Sequence, residues 1–229
     1  MSTVVAENLV KTFGSGETAV TAVSGVSFRI DPGEFVGIMG ASGAGKSTLL
    51  GMIGAMSAPS AGRLVVDAID VYALPLERRA DFRREYLGFV FQGFHLVPYL
   101  TALENVMLPL VVTGLGRKQK QARAAQALAE VGLADKSRRL PGELSGGEKE
   151  RVAVARAIVN EPPVLLADEP TGNLDSTTSA EIMAMFRKLN AAGMTIIMVT
   201  HSPECAGNAR RLITVADGRL TGDRALTPD

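Results

Sequence analysis

The sequence lacks several features that would assign a protein to a class at once. Among its 229 residues there is no tryptophan, only 5% are aromatic, and Cys205 is the single cysteine. One cysteine excludes an internal disulfide and fits a reducing compartment. Neither sign of charge is in excess, because 24 basic residues balance 24 acidic ones. A general attraction to nucleic acid or to an anionic membrane is therefore not expected, and any anion binding has to be local.

Long apolar runs are also missing. A bilayer span needs roughly 18 apolar residues in a row, whereas the apolar stretches VMLPLVV and PPVLLA are short and contain proline. The first residues, MSTVVAENLVKTF, have neither the basic segment nor the apolar core of a signal peptide. The sequence thus predicts a globular protein with a sizeable core that stays in the cytoplasm without crossing a membrane.

The first third of the sequence predicts strands that lead to a glycine-rich loop. In GVSFRI (residues 25–30) apolar and polar side chains alternate, as in a half-buried strand, and EFVGIM (34–39) is typical of a buried strand. Behind the loop, KSTLLGMIGAM (46–56) has helical apolar spacing through Met56. This region is therefore predicted to run from strand to loop to helix.

The middle of the sequence differs in composition, since residues 75–142 are rich in Arg, Lys, Gln, Ala and Leu. RKQKQARAAQALAEVGL (117–133) predicts a long helix with Gly132 near its end. After this helical insertion strand and helix alternate, which predicts a parallel sheet, and Asp217-Gly218 predicts a hairpin. The alternating segments are PPVLLADE (162–169), SAEIMAMFRKLNAAG (179–193) and TIIMVTH (195–201).

The glycine-rich loop GASGAGKST (40–48) matches the P-loop pattern. In such a loop the backbone N–H groups cradle phosphates, Lys46 reaches the terminal ones and the Ser47 hydroxyl binds Mg²⁺. The pattern alone also fits an ordinary strand-to-helix turn, but the buried strand before it and the helix after it favour a phosphate site. The predicted nucleotide contacts are Gly40, Ala41, Ser42, Gly43, Ala44, Gly45, Lys46, Ser47 and Thr48.

Two carboxylates, Asp168 and Glu169, follow the apolar residues VLLA (164–167) at the end of a predicted strand. Asp168 is predicted to hold Mg²⁺ beside the phosphates, and Glu169 to polarise the attacking water. Because the backbone can turn at a strand end, neighbouring side chains can serve separate purposes there. The alternative, a solvated acidic strand end, loses weight because the same chain has a P-loop.

His201 and Gln92 are the remaining candidates for the catalytic group. His201 ends a strand whose carboxyl end meets the P-loop and Glu169 at one sheet edge, where it could sense the terminal phosphate; a structural role is the alternative. Gln92 follows the predicted strand LGFVF (87–91) and could contact Mg²⁺ or the attacking water, although such a glutamine is often only a surface residue. His95 is given no catalytic role.

A second anion cradle is predicted about a hundred residues later, where LSGGE (144–148) opens an amphipathic helix. With it the sequence resembles the ATP-binding cassette (ABC) ATPases, because the P-loop, Gln92, LSGGE, VLLADE, NLD (173–175) and His201 occur in that family's order over almost the whole chain. The resemblance implies an α/β fold: a P-loop NTPase core with a parallel sheet, an N-terminal antiparallel β subdomain and an inserted helical subdomain. One domain of residues 1–229 is expected, with the helical part at about 93–159 and the rest at about 1–92 and 160–229.

The resemblance also implies that ATP binds between two copies of the chain. In a head-to-tail homodimer, Ser145, Gly146 and Gly147 of one copy would contact the ATP held by the P-loop of the other. Asp175 would lie at the same interface, and Phe13 would stack on adenine unless it is a buried strand-end residue. Glu148 is expected beside the nucleotide, facing the ribose or solvent, because its carboxylate would be repelled by the phosphates.

Within the family, ADEPTGNLDS and FVFQGFHLVPYLTALENVMLPL resemble the lipoprotein-release, macrolide-export and haem-export branch. The branch implies a Mg²⁺-dependent ATPase at the cytoplasmic face of the inner membrane that drives an integral membrane permease on another chain. An ATPase that signals to cell-division or cell-wall machinery remains an alternative. A soluble ABC protein acting on ribosomes or DNA is disfavoured, because sustained heptads and a basic arm are lacking between Lys46 and Ser145, and no direct nucleic-acid contact is expected.

The surface that contacts the membrane partner is predicted between Gln92 and Leu110. An apolar, irregular stretch there would form a groove for a short helix of the partner, although packing into a satellite core is an equal alternative. The residues concerned are Phe94, Leu96, Val97, Pro98, Tyr99 and Leu100.

Overall fold

The computed structural model describes residues 3–226; residues 1, 2 and 227–229, which the one-domain prediction includes, lie outside the described part. The strands are β1 (Val4–Phe13), β2 (Val20–Ile30), β3 (Phe35–Met39), β4 (Ala61–Val66), β5 (Ile69–Asp70), β6 (Leu87–Phe91), β7 (Val164–Asp168), β8 (Thr195–Thr200), β9 (Arg211–Ala216) and β10 (Arg219–Ala225). The α-helices are α1 (Lys46–Ile53), α2 (Leu76–Tyr86), α3 (Ala102–Met107), α4 (Arg117–Glu130), α5 (Gly146–Ile158), α6 (Ser176–Ala191) and α7 (Pro203–Ala206). Single 3-10 turns lie at Gly16–Thr18, Leu108–Leu110, Ala134–Lys136 and Pro141–Glu143.

The larger sheet has the order β10-β9-β3-β8-β7-β6. Strands β6, β7, β8, β3 and β9 are parallel, so the parallel sheet predicted from alternating strand and helix is confirmed. Strand β10 is antiparallel to β9 across Asp217-Gly218, which confirms the predicted hairpin. Because the parallel strands end at one edge, the segments that follow β3, β6, β7 and β8 meet there.

Side chains of the central strands alternate between two hydrophobic cores. In β7, Val164 and Leu166 face one core and Leu165 and Ala167 face the other, and β8 alternates in the same way. These strands are apolar at almost every position because both faces of a parallel sheet are covered. The continuous apolar runs in the sequence thus mark the centre of the fold.

The smaller sheet is antiparallel, with the order β2-β1-β4-β5. In β2 the side chains of Val26, Phe28 and Ile30 are buried whereas Ser27 and Arg29 are exposed, as their alternation predicts. The buried side shares one core with α1 and with one face of the larger sheet. The predicted α/β fold with an N-terminal antiparallel sheet is therefore confirmed.

Two predicted helices end earlier than their apolar spacing indicates. Helix α1 ends at Ile53, since Gly54 caps it and Ala55 has φ 54°; Met56 lies beyond the helix and is half exposed. Helix α4 ends at Glu130, where Gly132 has φ +77° and the Leu133 N–H donates to the carbonyl of Leu128 at 2.8 Å. In both cases a left-handed residue, Ala55 after α1 and Gly132 after α4, stops the helix although the apolar pattern continues.

Helices α3, α4 and α5 pack together and share their core with α6. Helix α2 is different, because its buried Phe82 belongs to the core of the antiparallel sheet. The composition of residues 75–142 groups α2 with the helical insertion, but its packing groups it with the β-strands. A division into core and helical parts at about residues 93 and 159 remains a proposal.

The stretch GFHLVPYLTALENV is irregular only in its first half. Helix α3 begins at Ala102 and has a capping box: the Glu104 N–H donates to Thr101 Oγ1 at 3.2 Å, and the Thr101 N–H donates to Glu104 Oε2 at 2.8 Å. Residues 94 and 96–100, which the prediction names, lie before this helix in irregular backbone, as expected. The spacing T-x-x-E is the sequence signal for this helix start.

Asn105 organises the irregular half from inside. Its side chain is fully buried, accepts from the Val97 N–H at 2.8 Å and donates to the carbonyls of Val97, Leu100 and Thr101 at 2.9–3.1 Å. One amide thus satisfies backbone groups that the loop cannot pair by itself.

Asn105→Leu is expected to lower the free energy of unfolding by about 2–4 kcal/mol, because an apolar side chain leaves the part-buried N–H and carbonyl of Val97 without partners. Urea unfolding measures the change. Gln126→Leu is the matched control: it replaces an exposed amide on α4 and should stay within about 0.5 kcal/mol of the parent. Equal effects of the two substitutions would contradict the account of the loop.

Candidate functional site

The P-loop connects β3 to α1, as predicted, and its glycines allow a close backbone approach. A Cβ on Gly40 would lie 2.1 Å from the carbonyl oxygen of Val215, and a Cβ on Gly45 would lie 2.1 Å from that of Ala22. Gly45 also has φ 96°, a value that L-residues rarely adopt. Around Gly43, a Cβ would meet open space. The loop is therefore held tightly at both ends and open in the middle.

Lys46 begins α1 and lies beneath the loop. Its ammonium group donates to the carbonyls of Gly40 and Ala41 at 2.9 and 3.0 Å, and the residue is only 8% exposed. These contacts fix a positive charge at the helix N-terminus, where the helix dipole adds to it. The arrangement suits a polyphosphate.

Ser47 and Asp168 join the P-loop to the end of β7. The Ser47 hydroxyl donates to Asp168 Oδ1 at 3.1 Å. Burial raises the pKa of the Asp168 carboxyl, the Ser47 hydrogen bond opposes the shift, the neighbouring Glu169 reinforces it and Lys46 opposes it. Hydroxyl and carboxylate oxygens are the ligands that Mg²⁺ prefers, with waters and phosphate oxygens completing its shell. The pair thus fits the predicted magnesium site.

Glu169 turns away from the direction of its strand. It has φ 49°, its N–H donates to the Val199 carbonyl at 2.9 Å, and its side chain is 14% exposed. His201 Nδ1 lies 2.9 Å from Glu169 Oε1, and the His201 N–H donates to Glu169 Oε2 at 3.3 Å. A non-glycine residue with positive φ next to an acid–histidine pair is typical of a functional site. Asp168 and Glu169 thereby point to different partners at one sheet edge.

A cavity of about 520 Å³ at this edge brings together predicted site residues from the P-loop, the turn after β6 and the ends of β7 and β8. Its volume lies within the range of roughly 300–1,000 Å³ found for small-molecule sites. Gln92 lines it from the turn after β6 and is positioned through its carbonyl, which accepts from Asn173 Nδ2 at 2.6 Å. The lining is Ala22, Ser42, Gly43, Gly45, Lys46, Ser47, Thr48, Gln92, Glu169 and His201.

Ala22 was not among the predicted residues, because its role comes from position alone. It lies in β2, and its carbonyl faces Gly45. Nothing in its local sequence marks it. Phe13, predicted to contact adenine, lies on the neighbouring strand opposite Val20, two residues from Ala22. The ring is 48% exposed and carries Lys11 Nζ 5.1 Å from its centre, so it is not a buried strand-end residue.

The LSGGE residues lie outside this cavity. Ser145 is the N-cap of α5: its hydroxyl accepts from the Glu148 N–H at 3.2 Å, and Glu148 Oε2 accepts from the Ser145 N–H at 2.8 Å. Lys136 Nζ lies 3.7 Å from Glu148 Oε1. The Ser145 N–H is the main cause that lowers the pKa of Glu148. The glutamate therefore caps its own helix, as its S-x-x-E spacing indicates, and its expected place beside the nucleotide, facing the ribose or solvent, stays a prediction.

Asp175 likewise caps a helix, as the N-cap residue of α6. Its carboxylate accepts from the Thr178 N–H at 2.9 Å and from the Thr178 hydroxyl at 2.6 Å, and the hydroxyl is the main cause that lowers its pKa. Thr178 also touches α5, since a Cβ on Gly147 would lie 2.4 Å from Thr178 Cγ2. Thr178 therefore lies between Asp175 and Gly147. Neither Gly147 nor Asp175 lines the cavity of its own chain.

Glu150 is the one carboxylate that the described residues leave without a partner in the interior. It lies on α5, is 1% exposed, and neither of its carboxylate oxygens has a hydrogen bond. Burial raises the pKa of Glu150 to about 8, and the charge of Arg156 opposes the shift. The carboxyl is therefore largely protonated near neutral pH.

The stability of the fold should depend on this proton. Between its ordinary value of 4.5 and the raised value of about 8, the folded state holds a proton that the unfolded chain has lost, so the free energy of unfolding falls as pH rises. Relative to Glu150→Gln, which cannot ionise, the parent should lose up to about 1.4 kcal/mol per pH unit across this window. Urea unfolding of both proteins at each end of the window measures the difference. A constant difference would show that the Glu150 pKa is not raised.

A second cavity, an open groove of about 590 Å³, lies between α2, β6 and the 3-10 turn at Leu108–Leu110. Of the predicted stretch between Gln92 and Leu110 only His95, Leu108 and Pro109 line it. Leu96 packs against the helical core and Tyr99 is 78% exposed. The residues named in the prediction, Phe94, Leu96, Val97, Pro98, Tyr99 and Leu100, do not line this groove, and their contact with a membrane partner stays a prediction.

Across residues 3–226, none of the helices has the length and apolar character that a membrane span requires.

Comparison with known proteins gives one family. The family model described as ABC transporter matches residues 23–172. One curated relative is YknY of Bacillus subtilis (strain 168), described as an uncharacterized ABC transporter ATP-binding protein. It is 46% identical to this chain over 213 residues, which is 93% of each chain. The macrolide export ATP-binding/permease protein MacB of Burkholderia pseudomallei (strain 1710b) is 46% identical over 212 residues, 93% of this chain and 32% of MacB. The chain thus spans about a third of the length of that relative.

Solved structures agree with the sequence relatives. The ATP-binding cassette MJ0796, in a dimeric structure of a post-hydrolysis state bound to ADP and Pi, matches with a TM-score of 0.90 and 41% identity over 98% of this chain and 99% of that one. The fold is therefore that of a known ATP-binding cassette.

Proposed function

The chain belongs to the ABC transporter family, and from this premise we propose that it binds and hydrolyses ATP to drive a membrane-embedded permease. The observation that carries the proposal is the cavity lined by Lys46, Ser47 and the Glu169–His201 pair at one sheet edge. Asp168 lies beside it, hydrogen-bonded to Ser47. The side chains that would bind phosphate, bind the metal ion and activate water therefore lie close together.

Each group of residues at the site has a separate role. The P-loop N–H groups and Lys46 bind and orient the phosphates. Ser47 and Asp168, with Gln92 across the cavity, would hold Mg²⁺, which would supply neutralisation of charge on the phosphates. Glu169 accepts a hydrogen bond from the attacking water and orients it in line with the terminal phosphate. His201 fixes the Glu169 carboxylate through Nδ1 and its own N–H.

The site is complete only in a homodimer. Ser145 and Gly146 are exposed at the N-terminus of α5, outside the cavity of their own chain, and such a terminus binds anions. Facing the P-loop of a second copy, they close the site over the terminal phosphate, and ATP then holds the two copies together. The dimeric structure of MJ0796 supports this arrangement.

The permease is a partner on another chain, and the ATPase is peripheral at the cytoplasmic face of the inner membrane. The name of the relative MacB, a macrolide export ATP-binding/permease protein, supports an assignment to the lipoprotein-release, macrolide-export and haem-export branch, in which the permease exports or extracts its substrate. The apolar groove beside α2 is the surface that binds it. Signalling to a cell-division or cell-wall machinery through the same permease is the second candidate.

Two measurements test the proposal together. The purified chain should hydrolyse ATP only with Mg²⁺ present, and from detergent-extracted native membranes it should co-purify with an integral membrane protein. Ribosomes or DNA in place of that protein would overturn the membrane assignment, whereas the absence of ATP hydrolysis by the chain and by its complex would overturn the enzymatic one.

A further inference from the structure

We propose that the first two turns of α4, together with the loop before them, contact the anionic phospholipid headgroups of the membrane surface. This segment, residues 111–123, is called the α4 tip. Its exposed apolar side chains, its cluster of cations and its place in the fold carry the inference. The inference rests on the proposed function only for the side of the chain that faces the membrane, because a contact with lipid needs no permease.

Two adjacent valines project from the α4 tip. Val111 and Val112 are 64% and 68% exposed, although Leu110 before them is fully buried and Leu115 after them packs against the helical core. Lys120 Nζ donates to the carbonyl of Val111 at 2.9 Å and ties this loop to α4. The loop is thus anchored at both ends, and its fixed conformation turns the two valines outward.

Cations surround these valines. The sequence has no Asp or Glu between residues 104 and 130, whereas the start of α4 carries Arg117, Lys118, Lys120 and Arg123. Within residues 3–226 none of these four forms an ion pair with a carboxylate. Helical side chains lean toward the helix N-terminus, where the helix dipole adds positive potential. The α4 tip therefore combines exposed apolar surface with uncompensated positive charge.

The place of the α4 tip in the fold turns it toward the membrane. Val112 lies at the edge of the groove that binds the permease in the proposed function. Val111, Arg117 and Lys118 are exposed beside it but do not line the groove. A permease segment that fills the groove would therefore leave these three side chains available to the neighbouring lipid.

This chemistry fits the surface of a bilayer. Apolar side chains insert at the boundary between headgroups and acyl chains, while nearby cations attract anionic headgroups. A protein partner would need a pocket shaped for two protruding valines, whereas a fluid bilayer adapts to them. The chain as a whole has no net charge, so the attraction is confined to the α4 tip and also orients the chain on the membrane.

Sedimentation with vesicles measures this contact without a permease. The full chain is mixed, at millimolar lipid, with vesicles of phosphatidylglycerol and phosphatidylcholine or of phosphatidylcholine alone. We expect at least about tenfold stronger binding to the anionic vesicles, and a loss of that binding at high salt because the charges are screened. Equal binding to both kinds of vesicle, or binding to neither, would overturn the inference.

Paired charge substitutions locate the contact on the chain. Arg117→Gln with Lys118→Gln should weaken binding to the anionic vesicles by about tenfold or more. Lys188→Gln with Arg210→Gln is the matched control, because it also removes one lysine and one arginine from exposed positions, and it should bind as the parent does. Equal losses in the two double variants would show a response to net charge alone and would contradict the inference.

A pair of valine substitutions tests the apolar part of the contact. Val111→Ser should weaken binding to the anionic vesicles by about threefold or more, because less apolar surface is buried in the lipid. Val20→Ser is the control, since Val20 is equally exposed at 64% but lies in the antiparallel sheet, and it should have no effect. Parental binding by Val111→Ser would contradict insertion of the α4 tip.

Failure of this inference and failure of the proposed function give different results. Suppose that the chain ignored anionic vesicles but that Arg117→Gln with Lys118→Gln abolished co-purification with an integral membrane protein. The α4 tip would then bind an acidic surface of that protein, and only the lipid contact would be overturned. Conversely, a chain that bound anionic vesicles through the α4 tip but co-purified with ribosomes would support the lipid contact and overturn the proposed function.

Discussion

Glu169→Gln is expected to lower kcat for ATP hydrolysis by at least about 10²-fold while ATP affinity changes by less than about twofold. The amide keeps the size of the side chain but is a much weaker hydrogen-bond acceptor for the attacking water. Lys46 and the Ser47–Asp168 pair, which bind the phosphates and the metal, remain intact. Single-turnover hydrolysis gives the rate, and equilibrium binding of a fluorescent ATP analogue gives the affinity.

Glu85→Gln is the control for this substitution, since it removes the same charge from an exposed position on α2 and should hydrolyse ATP at the parental rate. If Glu169→Gln also hydrolysed ATP normally, Glu169 would have no part in activating water. If it lost ATP affinity as strongly as activity, the residue would belong to nucleotide binding.

Lys46→Met is expected to weaken ATP binding by about 10²-fold or more, because it removes the ammonium group from beneath the phosphates while keeping most of the apolar stem. A hydrogen bond between charged groups contributes roughly 1.5–3 kcal/mol or more in a partly buried site. The residue is only 8% exposed, so water replaces its charge poorly. Isothermal titration with MgATP measures the change.

Lys118→Met, at an exposed position of α4, makes the same chemical change far from the cavity and should leave the affinity unaltered. An equally small effect at Lys46 would mean that the P-loop backbone binds the phosphates without help from this side chain. The assignment of the loop as the nucleotide site would then rest on the N–H groups alone.

The features that could be predicted from the sequence are those with a local physical cause. The apolar run before Asp168 is continuous because both faces of β7 are buried. The glycines of the P-loop are spaced as they are because backbone oxygens approach Gly40 and Gly45 closely. The order of strands and helices was predictable because it also follows from local sequence patterns.

The features that escaped prediction depend on contacts between distant segments. Ala22 lines the cavity only because β2 passes behind Gly45, and the groove forms only where α2 meets the turn at Leu108–Leu110. The early end of α1 at Ile53 was missed because apolar spacing continues past the point where Ala55 turns left-handed. Glu148 is a separate case, since its contact with Ser145 is a local capping box whose S-x-x-E spacing is visible in the sequence.

The central claim is that each ATP site is shared between two copies of the chain, and paired cysteines test it directly. With Cys205 replaced by serine, one preparation carries Ala41→Cys in the P-loop and another carries Gly142→Cys ahead of the LSGGE helix. Both positions are exposed, and a Cβ at Gly142 meets open space. Both chains also carry Glu169→Gln, which blocks hydrolysis.

A short thiol-specific crosslinker is added to each preparation alone and to their mixture, with and without ATP. The account predicts a crosslinked dimer that contains one chain of each kind and forms only in the mixture with ATP. A mixture that stays monomeric with ATP, or crosslinking between like chains in the single preparations, would contradict it.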